Sequence, residues 1–335
     1  NPLPANAYLR VTTSLALGYT YVPLRPNKLQ KVTTTDGSLL LSNLTSVGVS
    51  SQYPITVGNF SLTNPKFTGK GVLITLAPKN INGSYYIIDS GSVSITADPG
   101  LIKTSNLVIT NKAVNQSSSY NLSFTTINAI SGLGIITVVF PLEVTLSTTS
   151  SVCTTSYFSC SVNSTAITVK TGSVVAAGTN VSISVSNIAN PVTTTPSSPF
   201  QISTYFSATD ELVDQLLTGP TVKADAVSML AATVTPASTT VLGKLVDYSF
   251  TVRLANSIPS NCIFSITFPI EIPVTSAITL QTVSSSCILG TQTGQQINLT
   301  CSVALNSINL TLGGINNPLS TAPTSSFTLQ AYYNG

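Results

Sequence analysis

Five cysteines are the residues of this chain best equipped for covalent chemistry: Cys153, Cys160, Cys262, Cys287 and Cys301. Cys153 and Cys160 are seven residues apart and Cys287 and Cys301 fourteen apart, and the two pairs fall at corresponding places in a duplicated pattern. Paired cysteines in a chain of this composition read as disulfides, and hence as an oxidising compartment. Each bridge is expected to staple a hairpin or a loop edge. Zinc is the weaker reading, because spacings of 7 and 14 match no finger and the chain has no histidine at all. Cys262 is left over, either as a buried thiol or as an intermolecular bridge. The absence of histidine also removes any Ser-His-Asp triad and the usual general base. No phosphate-binding or dinucleotide-binding glycine motif is present; Gly132-Leu-Gly134 is a fragment of one and leads into a strand. No catalytic site, cofactor site or metal site is expected, and the chain is read as a non-enzyme.

Two further residue classes carry possible chemistry. Nine Asn-x-Ser/Thr sequons occur, at Asn43, Asn59, Asn82, Asn115, Asn121, Asn163, Asn180, Asn298 and Asn309. With 25 asparagines in a chain that is 29% serine and threonine, chance alone supplies about seven such sites. Placement is therefore the better argument: several fall on polar positions of alternating segments, where a glycan would point outward. The runs 192–198 and 320–326 are rich in Ser, Thr and Pro, a composition typical of O-glycosylated segments. Of the ten acidic residues, six lie near expected domain boundaries: Asp89 and Asp98 at the first, and Asp210, Glu211, Asp214 and Asp225 at the second. Calcium binds carboxylate and carbonyl oxygens and would rigidify such junctions. The plainer reading is that exposed linkers collect charge.

The elements that position these residues follow from composition and periodicity. Hydrophobic residues make up 42% of the 335 and charged residues only 7%, against about 25% charged in ordinary soluble domains. The chain is rich in Val, Ile and Leu, which argues against disorder. No apolar run approaches the ~18 residues of a spanning helix, so no membrane span is expected. A net charge of +3 is too small to argue for nucleic acid. The distribution is uneven: residues 1–112 carry nine basic and three acidic side chains, and residues 113–335 carry four and seven. Such a difference can orient copies end to end, or reflect chance scatter of few charges. A hydroxyl-coated surface with few charges has little colloidal repulsion; glycans would solubilise it, and contacts with other copies would cover it.

Internal repeats set the architecture. Asn-Pro recurs at Asn64-Pro65, Asn190-Pro191 and Asn317-Pro318, spaced 126 and 127 residues; Phe-Pro recurs at Phe140-Pro141 and Phe268-Pro269, spaced 128. Tyr120-Asn-Leu-Ser-Phe aligns with Tyr248-Ser-Phe-Thr-Val, and Asn187-Ile-Ala-Asn-Pro with Gly314-Ile-Asn-Asn-Pro. A shared period with shared landmarks marks duplicated units. Val181-Ser-Ile-Ser-Val and Ile308-Asn-Leu-Thr-Leu alternate apolar with polar, the period of a half-buried strand. Units of roughly 110–130 residues with about seven short strands fit an all-β fold of tandem immunoglobulin-like β-sandwiches. The proline pairs should sit where strands end, since proline cannot donate to a ladder. Glu211-Leu-Val-Asp-Gln-Leu-Leu is the exception, with a spacing that predicts a short helix at a domain junction.

The predicted organisation is an N-terminal strand region, 1–22; a partial or divergent sandwich, 23–94; and two whole repeats, 95–222 and 223–335. Ala7, Tyr8, Leu9, Arg10, Val11, Thr12 and Thr13 resemble the closing strand that follows Asn317-Pro318. That segment is read as a strand donated to a neighbouring copy, as the end of a preceding repeat, or as a strand packed on its own first domain. The numbered chain has no initiator Met and no signal peptide, so either a leader has been removed or the sequence is a window of something longer. The repeated Tyr-x-Phe, Phe-Pro, local cysteine pair and Asn-Pro followed by Phe resemble tandem β-sandwich repeats in large surface proteins of protists, and the start resembles protomers of glycosylated extracellular fibrils. The resemblance covers 95–335 well and 23–94 partly; the first domain departs from it in lacking the Phe-Pro half. It implies a secreted or cell-surface structural protein that polymerises with copies of itself and carries glycans. The rival class is an adhesin holding a sugar or protein ligand.

Overall fold

In the computed structural model the described residues are 97–333 except 158, 208–210, 238–239 and 284–285, with residues 275–277 described by backbone only, together with the backbone of seven earlier strands. Those seven are β1 (Ala7–Thr13), β2 (Tyr19–Val22), β3 (Gln30–Thr33), β4 (Leu39–Ser42), β5 (Asn59–Leu62), β6 (Gly71–Pro78) and β7 (Asp89–Ser94). The first repeat contributes β8 (Gly100–Leu101), β9 (Ser105–Ile109), β10 (Ser117–Thr125), β11 (Ile135–Val139), β12 (Val152–Thr155), β13 (Ser159–Val162), β14 (Ala166–Lys170), β15 (Asn180–Ala189), β16 (Gln201–Tyr205) and β17 (Leu212–Leu216). The second contributes β18 (Ala231–Pro236), β19 (Leu245–Ile258), β20 (Cys262–Thr267), β21 (Val274–Val283), β22 (Cys287–Thr293), β23 (Gln296–Cys301), β24 (Leu305–Asn316) and β25 (Thr328–Tyr333). The fold is all-β, and no helix among the described residues is long and apolar enough to cross a membrane.

The duplication extends to topology. The first repeat pairs one sheet in the order β12-β15-β10-β9, and the second pairs β21-β24-β19-β18. The opposing sheets run β13-β14-β11-β16 and β22-β23-β20-β25, with β17 and then β8 added beyond β16 in the first repeat. Each pair of sheets closes over its own core because alternate residues face inward. On β10, Tyr120, Leu122 and Phe124 are buried; on β19, Tyr248, Phe250 and Val252 take their place. The Phe-Pro phenylalanines pack on the phenylalanine that follows each Asn-Pro. Ring centroids are 4.8 Å apart for Phe140 and Phe200 and 5.2 Å for Phe268 and Phe327, both edge-to-face. The landmarks also end strands as expected. β11 stops at Val139 before Phe140-Pro141, β20 at Thr267 before Phe268-Pro269, and β15 and β24 directly before the two Asn-Pro pairs.

Two expectations need correction. The segment predicted as a helix is the strand β17, antiparallel to β16 and parallel to β8. Its Leu and Val spacing fits either period. The open edge of β16 decides, because pairing there buries Val213 and Leu216 and satisfies the backbone on both sides. The two cysteine pairs are also not equivalent. Cys153 on β12 and Cys160 on β13 join opposite sheets of the first sandwich, whereas Cys287 and Cys301 join neighbouring strands of one sheet. Cys287 corresponds to Cys160 by position, and its partner has moved to β23. The segment Ala7–Thr13 lies in the middle of a five-stranded sheet ordered β3-β4-β1-β6-β7, with seven residues of register on β6 from Ala7↔Pro78 to Thr13↔Val72.

Candidate functional site at the junction between sandwiches

The same loop closure is built twice. Tyr120, buried in the first core, donates its hydroxyl to Asn190 Oδ1 at 2.8 Å, and Tyr248 donates to Asn317 Oδ1 at 2.9 Å. Burial raises the pKa of both phenols, keeping them as neutral donors. Asn190 Nδ2 then donates to the carbonyls of Asn111, 2.7 Å, and Ala113, 2.8 Å; Asn317 Nδ2 donates to that of Val241, 2.9 Å. The turn that follows folds back on the proline: Asn115 N–H to Pro191 O at 3.0 Å, and Gly243 N–H to Pro318 O at 3.1 Å. Both residues sit in the left-handed region, with φ of 54° for Asn115 and 63° for Gly243. Asn and Gly are the residues that adopt this conformation at least cost. Each sandwich thus ends in a tyrosine-tethered Asn-Pro latch beneath a tight turn.

The latch of the first repeat meets the second repeat. Ala113 and Asp225 form a parallel bridge, with Val114 N–H on Asp225 O at 3.0 Å and Asp225 N–H on Lys112 O at 2.8 Å. Asn256, past the middle of β19, donates from Nδ2 to Val114 O at 2.8 Å and accepts through Oδ1 from Gln116 Nε2. Asn115 Nδ2 reaches Ser257 O at 3.5 Å, the outer limit of a hydrogen bond. Beside these contacts lies a cleft of about 480 Å³, lined among others by Val192, Met229, Leu254, Ile258, Tyr332 and Tyr333. A backbone bridge and polar side chains together link the two sandwiches, with the cleft beside them.

A second duplicated contact holds the loops after Phe-Pro. Ser198 donates its backbone N–H, 3.1 Å, and its hydroxyl, 3.0 Å, to Glu143 Oε1, and Ser325 donates its hydroxyl to Glu271 Oε1 at 2.7 Å. The carboxyl of Glu143 is held below its ordinary pKa first by its own backbone N–H and then by Ser198, and that of Glu271 first by the Ser325 hydroxyl. Neither acid stands out by motif; only their common offset from Phe-Pro marks them in the sequence.

Both predicted disulfides are present, and Cys262 is a buried free thiol whose pKa burial raises. It lies on the same rung as the second bridge: Cys262 faces Cys301 across β20 and β23, and Cys301 faces Cys287 across β23 and β22. Of the sequons, Asn115, Asn121, Asn163, Asn180 and Asn309 are exposed, and Asn298 is half-buried beneath Thr291 and Gln296. Asn43 and Asn82 lie outside the described residues, and Asn59 is described by backbone alone. Of the boundary acids, Asp210 lies outside the described residues and Asp89 is described by backbone alone, and Asp214 and Asp225 are not brought together. Asp214 is fully buried inside the first sandwich, where its carboxylate accepts from Ile127 N–H, Asn128 N–H and Asn128 Nδ2, while Asp225 is at the junction. Among the described residues no three Cys, Asp or Glu cluster as a metal would need.

No family model and no curated protein matches the chain. Solved structures with some likeness include a type II cohesin dyad from the adaptor ScaA scaffoldin of Acetivibrio cellulolyticus, at 12% identity over 69% of this chain and 88% of that one, with a TM-score of 0.21. Another is a Corynebacterium diphtheriae protein described as membrane anchored, at 11% identity over 100% and 79%, with a TM-score of 0.22. TM-scores this low leave the description of the fold resting on the strand pairing itself.

Proposed function

We propose that this chain is a structural subunit of an extracellular, glycosylated filament or surface coat, polymerising head-to-tail through β-strand exchange or end-to-end packing of its domains. The observation that carries this reading is the junction. Two sandwiches of one topology are joined end to end by a backbone bridge and side-chain hydrogen bonds, an arrangement suited to transmitting load along a row. Disulfides in both repeats favour an oxidising, extracellular setting. The exposed sequons would clothe a surface that has few charges. The role is mechanical and asks no catalysis of the chain. In the strand-exchange version, Ala7–Thr13 leaves its place between β4 and β6 and joins a sheet edge of a neighbour, main-chain hydrogen bonds supplying the affinity. β25 is a fitting acceptor, since among the described residues it pairs with β20 alone, while its counterpart β16 has β17 on its other side. The rival adhesin reading draws on the junction cleft, where Tyr332 and Tyr333 would face a sugar or peptide.

Electron microscopy of the native material beside a chain lacking residues 1–22 tests the proposal. Filaments in the first and single particles in the second support strand exchange, and filaments in both support end-to-end packing. Single particles in both sink the filament reading and leave the adhesin, which a glycan array would then probe.

A further inference from the structure

Three of the five cysteines stand on one rung of the second sandwich. In the sheet ordered β22-β23-β20-β25, β23 runs between β22 and β20. Cys301 on β23 pairs with Cys287 on β22 and with Cys262 on β20. Residues directly opposite one another on antiparallel strands share a face of the sheet, and all three of these are buried in the second core. Cys301 thus has a cysteine on either side and is bonded to one of them, Cys287. The Cα atoms of the bonded pair are 4.0 Å apart, which marks the narrow kind of cross-strand pair. The N–H and C=O of one residue point the same way across a sheet, so a residue in a narrow pair with one neighbour makes a wide pair with the other. Cys262 and Cys301 are that wide pair, with Cα atoms about 5.5 Å apart. This lies inside the range of roughly 4.4–6.8 Å over which disulfides form. The first repeat lacks the arrangement, because the rung of Cys160 continues through Val169 to Ile136.

We propose that Cys262, Cys301 and Cys287 form an internal disulfide-exchange site, in which the bridge passes from Cys287–Cys301 to Cys262–Cys301. The Cys262 thiolate attacks Sγ of Cys301. A bond forms between those two sulfurs as the Cys301–Cys287 bond breaks, and Cys287 leaves as a thiolate that takes up the proton Cys262 gave up. One disulfide and one thiol stand on each side of the step, so it consumes no oxidant and no reductant. The rung sets the entering and leaving cysteines on opposite sides of the central one. A nucleophile held on the adjoining strand also acts at a high effective concentration. Burial raises the pKa of Cys262 and keeps it a protonated thiol in the closed sheet, so exchange waits for a local opening. The two bridges differ in what they tie. The native one tethers β22, the end strand of its sheet, whereas the exchanged one ties β20 to β23 inside the sheet and leaves β22 without a covalent tie. The device releases the end strand without giving up the crosslink.

The test uses the full chain, folded under oxidising conditions, as wild type and as the variants Cys287→Ser and Cys262→Ser. Thiol counting after unfolding in acid, with peptide mapping without reduction, reads the bridges, and circular dichroism confirms the fold. Wild type has one free thiol, Cys262. Cys287→Ser should have none, with Cys262 bridged to Cys301, and two free thiols in a folded Cys287→Ser chain overturn the proposal. The second measurement needs no variant to fold. Wild type is held in urea below its unfolding midpoint at mildly alkaline pH, quenched in acid and tagged with N-ethylmaleimide. The tag, at first on Cys262, should come to divide between Cys262 and Cys287, while Cys153–Cys160 stays intact as the internal reference. A tag that remains on Cys262 at every urea concentration up to the midpoint overturns the exchange. In Cys262→Ser the tag should not reach Cys287, and a tag there overturns Cys262 as the attacking group.

Discussion

Tyr120 and Asn190 form a pair in which each side chain depends on the other. Asn190 is buried, with its amide spent on two backbone carbonyls and its oxygen on the phenol. Removing the hydroxyl leaves that oxygen without its donor in an apolar surrounding. Tyr120→Phe should therefore destabilise the first repeat by about 1–3 kcal/mol, the cost of an unmet buried polar group. Denaturant unfolding of wild type and variant measures it; a change below a few tenths would mean that water replaces the phenol. The Glu143 and Glu271 contacts make a different prediction. Both carboxyls are held below their ordinary value of 4.5 in the folded state. Such groups stabilise above that pH, and the contribution is lost as pH falls through the lowered folded values. The double variant Glu143→Gln/Glu271→Gln should show a flatter fall in melting temperature on acidification below about pH 4.5, and a profile parallel to wild type would assign the acid sensitivity elsewhere. Both groups are largely exposed, so the effect is small at neutral pH. Among the sequons, Asn298 should show the lowest occupancy by glycopeptide mass spectrometry, because its amide already bonds to Thr291 and Gln296 on the sheet surface.

The strand β17 shows where reading along the chain stops. Its sequence, Leu212-Val-Asp-Gln-Leu, has apolar residues at spacings that suit a helix, and nothing local forbids one. What makes it a strand is non-local: the edge of β16 on one side, β8 on the other, and a loop at Ile127 and Asn128 that needs an acceptor. Asp214 supplies that acceptor from a fully buried position. The elements with repeated landmarks were legible because each landmark has a local cause: alternation for the strands, proline for their ends, paired cysteines for the bridges. The site was legible only in part. The period exposed Asn190 and Asn317 as landmarks, but not that a tyrosine 70 or 69 residues earlier in the chain holds each of them, nor that Asn256 receives the turn. Those links cross sheets or repeats, and no spacing rule encodes them. At this scale Cys153→Ala/Cys160→Ala should cost the first sandwich about 2 kcal/mol. The crosslink closes a loop of only seven residues, near the short end of the entropic range. Thermal unfolding under non-reducing conditions reads the loss, and an unchanged midpoint would show that β12 and β13 hold without it.

Across the described residues of the two repeats, the two cores are separate and hydrogen bonds link them. The first core closes around Tyr120, Phe140 and Phe200, the second around Phe250, Phe264 and Phe268. Between them lie the Ala113–Asp225 bridge, the Asn256 contacts and the open cleft. A hydrogen bond of this kind contributes about 0.5–1.5 kcal/mol, so the junction is weak beside either core and strong enough to bias an angle. Two consequences separate at this point. Asn256→Ala should leave the melting of both sandwiches nearly unchanged, because Asn256 belongs to neither core. The same change removes the contacts to Val114 O and Gln116 and so should widen the range of angles between repeats, which small-angle scattering detects as a broader distribution of interatomic distances. Unchanged melting with broadened scattering would make the junction an orienting device whose stiffness is set by one asparagine. Unchanged scattering would assign that stiffness to the backbone bridge at Ala113 and Asp225. A drop in melting temperature would show instead that the repeats fold as one cooperative body, and that each relies on its neighbour for stability.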